Sequence, residues 1–256
     1  RDALQPEAHR ARALGARAAE KTVETVSIGL GYTAVATTDG GVGLACTMLD
    51  SVKTCQAAGD LPDFEGGPAD ALLEYLLSDV PIRRCLGLAL ANAVNHAAAL
   101  CLPEDRHNTV LFDRLGISPG SKVAMVGHFG PLINKLAALP AELEMVDKAR
   151  GEGDEGALLK KLHGWADALI MTSTALINNT AETFLSAVGP DVTVAMIGPS
   201  TPLAADAFAG QPVHLLGGTV PVDAAATFAA IRHGRGTPVL QRYAKKTFLD
   251  LSPAAA

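Results

Sequence analysis

The stretch VTVAMIGPSTPLAADAF, Val192 to Phe208, decides the fold. Val192–Ile197 is an apolar, β-branched run of strand length, and such a run is a strand buried on both faces. It stops abruptly at Gly198-Pro199-Ser200-Thr201-Pro202, which places a glycine, two rigid prolines and two hydroxyls at the strand's carboxyl end. In open α/β sheets that edge is where ligands bind. The same construction recurs upstream in VAMVGHFGP (Val123–Pro131) and in ALIMTSTALINNT (Ala168–Thr180). Three strands that end alike predict one shared pocket along one edge of a sheet.

Around these strands the second half of the chain alternates. Strand Val123–Val126 precedes helix Leu132–Leu139, and strand Leu143–Val146 precedes helix Leu158–Trp165. Strand Ala168–Met171, helix Thr180–Leu185, strand Val192–Ile197, helix Leu203–Ala209 and strand Val213–Leu216 follow, and a last helix covers about Asp223–Gly234. Five strands alternating with helices predict a doubly wound parallel sheet.

The first half reads differently. An amphipathic helix over about residues 3–21 carries Leu4, Ala8, Ala11, Leu14 and Ala18 at near-helical spacing. Thr22–Leu49 holds about three short β-type runs with a turn at Asp39-Gly40-Gly41, which predicts an antiparallel meander with one solvated face. Asp60–Pro68 is a loop by its breakers, and helical patterns follow at Ala69–Leu77 and Ile82–Leu100. The polar PEDRH at 103–107 sets the boundary between a small α+β domain, 1–106, and the doubly wound domain, 107–256.

With 48 % hydrophobic and 19 % charged residues in 256, the chain can bury a sizeable core. Aromatics at 4 %, a net charge of −6 and the lack of a basic stripe speak against nucleic acid as a partner. No apolar run approaches the roughly 20 residues that span a bilayer. The opening RDALQPEAHRARALGARAAEKT is charged throughout and does not read as a signal peptide. Cys46, Cys55, Cys85 and Cys101 are far apart, without a CxxC, and read as free thiols in a cytoplasmic protein.

The candidate site collects at the strand ends. Gly127-His128-Phe129-Gly130 is a turn that can aim backbone N–H groups at an anion or nucleotide, and Asp147 closes the next strand 20 residues beyond Gly127, where an acid commonly holds a ribose. GHFGPL is not the full GxGxxG fingerprint, so a plain tight turn with a surface acid is the competing reading. Thr172-Ser173-Thr174 and Asn178-Asn179-Thr180 bracket the third strand's end, with Glu182 two residues on; helix capping explains two or three of these groups, but not five or six clustered at the same sheet edge as Ser200 and Thr201, which read as ligand contacts with Thr172, Thr174 and Asn178 foremost. His128 is the acid–base candidate. Asn92, Asn95 and His96 lie at i, i+3, i+4 and form a polar stripe on an apolar helix, marking a site, a domain interface or a solvent face. The seven histidines include no HxxH or HxxxH, so no metal ligands are assigned.

Several of these segments resemble a bacterial and archaeal family of unknown function described as a "putative heavy-metal chelation" domain. VAMVGHFGPLI (Val123–Ile133), ADALIMTSTALINNTAETFL (Ala166–Leu185), MIGPSTPLAADAF (Met196–Phe208) and LLGGTVPVD (Leu215–Asp223) carry the likeness, with GLGYTAV, GGVGLACTM and GLALANAV in the first half. The resemblance implies an enolase-N-terminal-like domain followed by a Rossmann-like domain, with a site between them. It also implies condensation, hydrolysis or transfer on a metal-chelating or pterin-like small molecule. Two departures bear on the pocket. Asp147 stands where glutamate is expected, and TSTALINNT stands where TGTTLVNGT is commoner.

These readings converge on a small polar ligand in the interdomain cleft. Gly127, His128, Gly130, Asp147, Thr172, Thr174, Asn178, Ser200 and Thr201 come from the second domain, and Tyr32, Thr33 and Asn92 from the first. A non-catalytic protein for a heavy metal or metal chelate, and a methyltransferase-like protein using S-adenosylmethionine, are the alternatives. The cofactor is accordingly a nucleotide-type ligand or a metal ion, and a homo-oligomer is allowed.

Overall fold

The computed structural model describes residues 6–49 and 61–251, so Cys55, Asp60 and the first residues of the expected amino-terminal helix fall outside it. Helix α1 (Pro6–Ala18) leads into an antiparallel sheet of β1 (Val23–Ile28), β2 (Tyr32–Thr37) and β3 (Val42–Cys46) in that order. The expected turn is present: Gly40 takes φ +87° and its N–H donates to the Thr37 carbonyl at 2.9 Å.

The solvated face expected for this sheet is not seen on β2, which is buried at all six positions. Two helices cover it. Helix α3 (Pro81–Val94), which follows α2 (Ala69–Leu73) and a 3₁₀ turn (Glu74–Leu77), packs so close that a Cβ on Gly43 would sit 2.0 Å from the Ala89 carbonyl oxygen. Helix α9 (Ala224–Arg232) brings Phe228, Ala230 and Ile231 against Tyr32, Ala34 and Ala36 on the other face. The second helix arrives from nearly 200 residues away, so no local alternation could announce it.

One predicted helix, Ile82–Leu100, is two. It breaks at Asn95, whose side chain donates to the Leu203 carbonyl, and resumes as α4 (His96–Leu100). Helix α5 (Thr109–Arg114) then enters the second sheet, formed by β4 (Lys122–Val126), β5 (Glu142–Val146), β6 (Ala168–Thr172), β7 (Thr193–Ile197), β8 (Leu215–Pro221) and β9 (Ala244–Asp250). Connecting helices are α6 (Gly130–Ala138), α7 (Glu155–Lys161), α8 (Ala181–Ser186), and α10 (Thr237–Leu240), which follows α9. The order is β5-β4-β6-β7-β8-β9, with five parallel strands and β9 antiparallel to β8. The sixth strand escapes a reading based on buried runs because AKKTFLD is half polar, as an edge strand is. The helix expected at Leu203–Ala209 is a single 3₁₀ turn at Ala205–Phe208.

Alternate residues of the parallel strands serve two cores. Val123, Met125, Ile170, Ala195 and Ile197 pack with Phe112, Leu132 and Leu136. Ala124, Leu169, Met171, Val194 and Met196 join Leu14, Leu86, Leu90 and Val35 in a core that runs through both halves. The polar stripe on α3 and α4 therefore marks an interface. Asn92 Nδ2 donates to the Leu44 carbonyl at 2.7 Å and the Pro199 carbonyl at 3.3 Å, and His96 Nε2 bonds the Pro221 carbonyl at 2.8 Å. Buried Arg10 pairs with Glu182, and Arg84 Nε donates to the Leu176 carbonyl at 2.7 Å. Among the described residues no helix is long and apolar enough to cross a membrane.

Candidate functional site

The carboxyl edge of the parallel sheet is kept open by two glycines. Gly127, after β4, has φ +95°, and a Cβ there would lie 2.9 Å from Thr172 Cβ. Gly198, after β7, has φ +139°, and its Cβ would lie 2.5 Å from Ser173 Oγ. An L side chain fits neither backbone nor space. Between them β6 ends in Thr172-Ser173-Thr174. Because β5 lies on one side of β4 and β6 on the other, the connections diverge at β4 and β6, leaving the crevice where doubly wound sheets bind ligands.

Two cavities open along this edge. The first, about 470 Å³, is lined by Gly127, His128, Asp147, Thr172, Thr174 and Asn178, with Met48 contributed by the first half. The second, about 420 Å³, runs toward β8 and β9, and includes Tyr32 and Cys46 of the first half with Gly130, Ser173, Gly198, Thr237 and Lys246. They meet at His128, Phe129, Thr172 and Thr174.

Local bonds aim the polar groups. His128 Nδ1 lies 3.0 Å from Glu152 Oε2, and Nε2 makes no hydrogen bond to the described residues. An Nδ1–H donated to the carboxylate leaves Nε2 as the proton acceptor. Glu152 is itself held by reciprocal backbone bonds with Asp147, at 2.9 and 3.0 Å. Asp147 Oδ1 accepts the Arg150 N–H at 3.1 Å, so one carboxylate oxygen closes its own turn. The Thr172 and Thr174 hydroxyls are 2.9 Å apart. Thr180 Oγ1 donates to Asn178 Oδ1 at 2.7 Å. In the second cavity the Tyr32 hydroxyl is 2.5 Å from Thr237 Oγ1. Burial, with the Cys46 thiol nearby, pushes the Tyr32 phenol up to about 12. Burial also raises the Cys46 thiol.

Eight of the residues expected at the site line these cavities: Tyr32, Gly127, His128, Gly130, Asp147, Thr172, Thr174 and Asn178. Four do not. Thr33 is fully buried with its hydroxyl 2.9 Å from that of Thr47, and Asn92 is engaged in the interface bonds above. Ser200 and Thr201 are buried as well: Ser200 Oγ accepts the Cys46 N–H at 2.8 Å, so the GPSTP loop lines the second cavity with Gly198 and Pro199 while its two hydroxyl residues lie at the join between the halves. Sequence reasoning passed over Glu152, Thr219, Thr237 and Lys246, the last three lining the second cavity, and put Ser173 in the strand-end cluster without naming it among the site residues. Thr219 lay inside a quoted motif, whereas Thr237 and Lys246 follow the last predicted helix and carried no signal.

A family model described as "Putative heavy-metal chelation" matches residues 110–250, more than half of the chain. The chain belongs to the DUF364 family. A second model with the same description matches residues 11–95. No functionally curated protein matches. Among solved structures, a DUF364 protein of unknown function from Pyrococcus horikoshii is 17 % identical, with a TM-score of 0.79 over 96 % of this chain and 100 % of that one. Another of unknown function, from Desulfitobacterium hafniense, is 19 % identical, with a TM-score of 0.78 over 96 % and 100 %. These likenesses show the shared fold. In this DUF364 chain Asn179 takes φ +62°, a left-handed turn conformation that asparagine tolerates.

The family description raises the question of a metal. Soft metals need thiolate or several converging imidazoles. Here the His128 imidazole is turned on Glu152, Cys46 is a half-buried thiol in the second cavity, and Cys85 is a buried thiol that accepts the Met48 N–H at 3.2 Å. Among the described residues no group of three His, Cys, Asp or Glu is placed to hold an ion. The described residues do not fit a directly bound heavy metal.

Proposed function

We propose that this DUF364 protein binds a small polar organic ligand in the cleft along the carboxyl edge of its parallel sheet, against the first half. The observation that carries this reading is the meeting of two cavities at His128, Phe129, Thr172 and Thr174, beside the β4/β6 switch point. Asp147 and the Thr172–Thr174 hydroxyls suit a hydroxyl-rich moiety, and the Gly127 turn beside Asp147 suits a nucleotide-type one. His128, oriented by Glu152, is the acid–base group if the ligand is turned over. A heavy metal, on this reading, enters as a chelate whose organic part the cleft recognises.

The test is mass spectrometry of small molecules released from natively purified protein, with calorimetric titration of S-adenosylmethionine and of zinc. A ligand released by the wild type is expected to bind Thr174→Val and Asp147→Asn at least ~10-fold more weakly, about 1.4 kcal/mol, with melting unchanged. A stoichiometric, submicromolar zinc site in the absence of any organic ligand would overturn the reading. Retention of the released molecule by both variants would do the same.

A further inference from the structure

The first cavity has two unlike linings. One is apolar: Met48 beyond the end of β3, Phe129 before α6, Val146 at the end of β5 and Phe184 on α8. Met48 comes from the first half of the chain and is tied in place, because its N–H donates to Cys85 Sγ on α3 at 3.2 Å. Aromatic rings and a thioether offer a flat apolar body large contact area and favourable sulfur–ring contacts. The other lining is polar and holds Asp147, Thr172, Thr174 and Asn178. At about 470 Å³ the space has the size of a site for one small organic molecule. Its charges point one way. Lys148 Nζ is paired with Glu155 Oε2 at 2.6 Å, and His128 is turned on the Glu152 carboxylate. The charge that faces the cavity is the Asp147 carboxylate, which spends Oδ1 on the Arg150 N–H. A carboxylate only accepts, so its complement is a donor, and a phosphate set beside it meets like charge.

We propose that the first cavity takes an uncharged nucleoside-like molecule, a flat heterocycle on a sugar with adjacent hydroxyls, and discriminates against its phosphate esters. The heterocycle lies toward Met48, Phe129 and Phe184, and the sugar hydroxyls donate to Asp147. The inference rests on the cleft being a ligand site and deepens it by naming the ligand's class and charge. Hydroxyl-to-carboxylate bonds are charge-assisted and stronger than neutral ones, so the sugar is read at Asp147 while the apolar lining supplies contact area.

Adenosine, its deoxy form lacking the ribose 2′-hydroxyl, and its 5′-monophosphate are the probes, titrated into the full chain by calorimetry. Adenosine is expected to bind saturably, with the deoxynucleoside and the monophosphate each about ten-fold weaker or worse. Asp147→Asn is expected to weaken adenosine about ten-fold and to bring the monophosphate to within about three-fold of it, a change of ratio that loss of packing alone does not produce. Met48→Ala is expected to weaken all three probes, and Met48→Leu to retain them. Lack of saturable adenosine binding, a monophosphate that binds as tightly as adenosine, or an unchanged ratio in Asp147→Asn would overturn the proposal. If adenosine does not bind but a molecule released from the protein does, and loses affinity in Thr174→Val and Asp147→Asn, the nucleoside assignment fails while the cleft reading stands. If adenosine binds through Asp147 but zinc alone fills a stoichiometric, submicromolar site, the nucleoside site stands and the wider reading fails.

Discussion

Ser200 Oγ accepts the backbone N–H of Cys46 across the seam between the two sheets, at 2.8 Å and with Ser200 fully buried. The hydroxyl ends one strand of the first sheet and anchors the loop after β7. Two neighbouring hydroxyls thus have opposite expected effects. Ser200→Ala strands a buried N–H and should cost about 1–3 kcal/mol in urea unfolding. Thr201→Val removes a buried Oγ1 that has no partner and should be neutral or slightly stabilising. Equal behaviour of the two variants would contradict the assignment.

Unfolding should be a single cooperative transition. One apolar core runs through both halves, and Asn92, Asn95, His96, Arg10 and Arg84 bridge them by direct bonds. A calorimetric scan checks this. Two resolved peaks would mean that the halves are independent units.

Gly127→Ala should destabilise by more than about 1 kcal/mol, because the native φ of +95° disfavours any side chain and the added methyl would meet Thr172. The same methyl narrows the place where the cavities join, so ligand binding should fall further than stability. Gly130→Ala is the control: its backbone is not in the left-handed region, and the nearest atom to an added Cβ, His128 Nε2, is 3.9 Å away. It should be close to silent in melting.

Alkali should weaken the fold through Tyr32. The phenol is held neutral by burial up to about 12 in the native state, against an ordinary value of 10.0. Above pH 10 the unfolded chain releases this proton and the native one does not, so the unfolded state binds fewer protons and stability falls with pH. The contribution is fully present below pH 10 and is lost as pH rises toward 12. Urea unfolding of the wild type and Tyr32→Phe from pH 8 to 11 checks this. The buried thiols of Cys46 and Cys85 share the direction, so the steepness that Tyr32→Phe removes is the part owed to the phenol.

Much of the fold was legible because its signals are local. An unbroken run such as Val123–Val126 or Ala168–Met171 can bury both faces only inside a parallel sheet, and Gly127 and Gly198 mark its open edge because the chain turns there through backbone angles closed to other residues. From that edge, His128, Asp147, Thr172, Thr174 and Asn178 follow by position alone. What the sequence could not decide is which way a polar group faces once a distant segment packs on it. Ser200 and Thr172 look alike at their strand ends, yet β3 closes over Ser200 and leaves Thr172 in the cleft. Asn92 and Asn95 look like a site until the carbonyls of Leu44, Pro199 and Leu203 arrive to accept their N–H groups. Lys246 looks like surface charge until β9 pairs with β8 and buries its stem. Strand, helix and turn propensities act over a few residues, whereas exposure and hydrogen-bond partnership depend on contacts between residues more than a hundred apart, and only the tertiary structure assigns those.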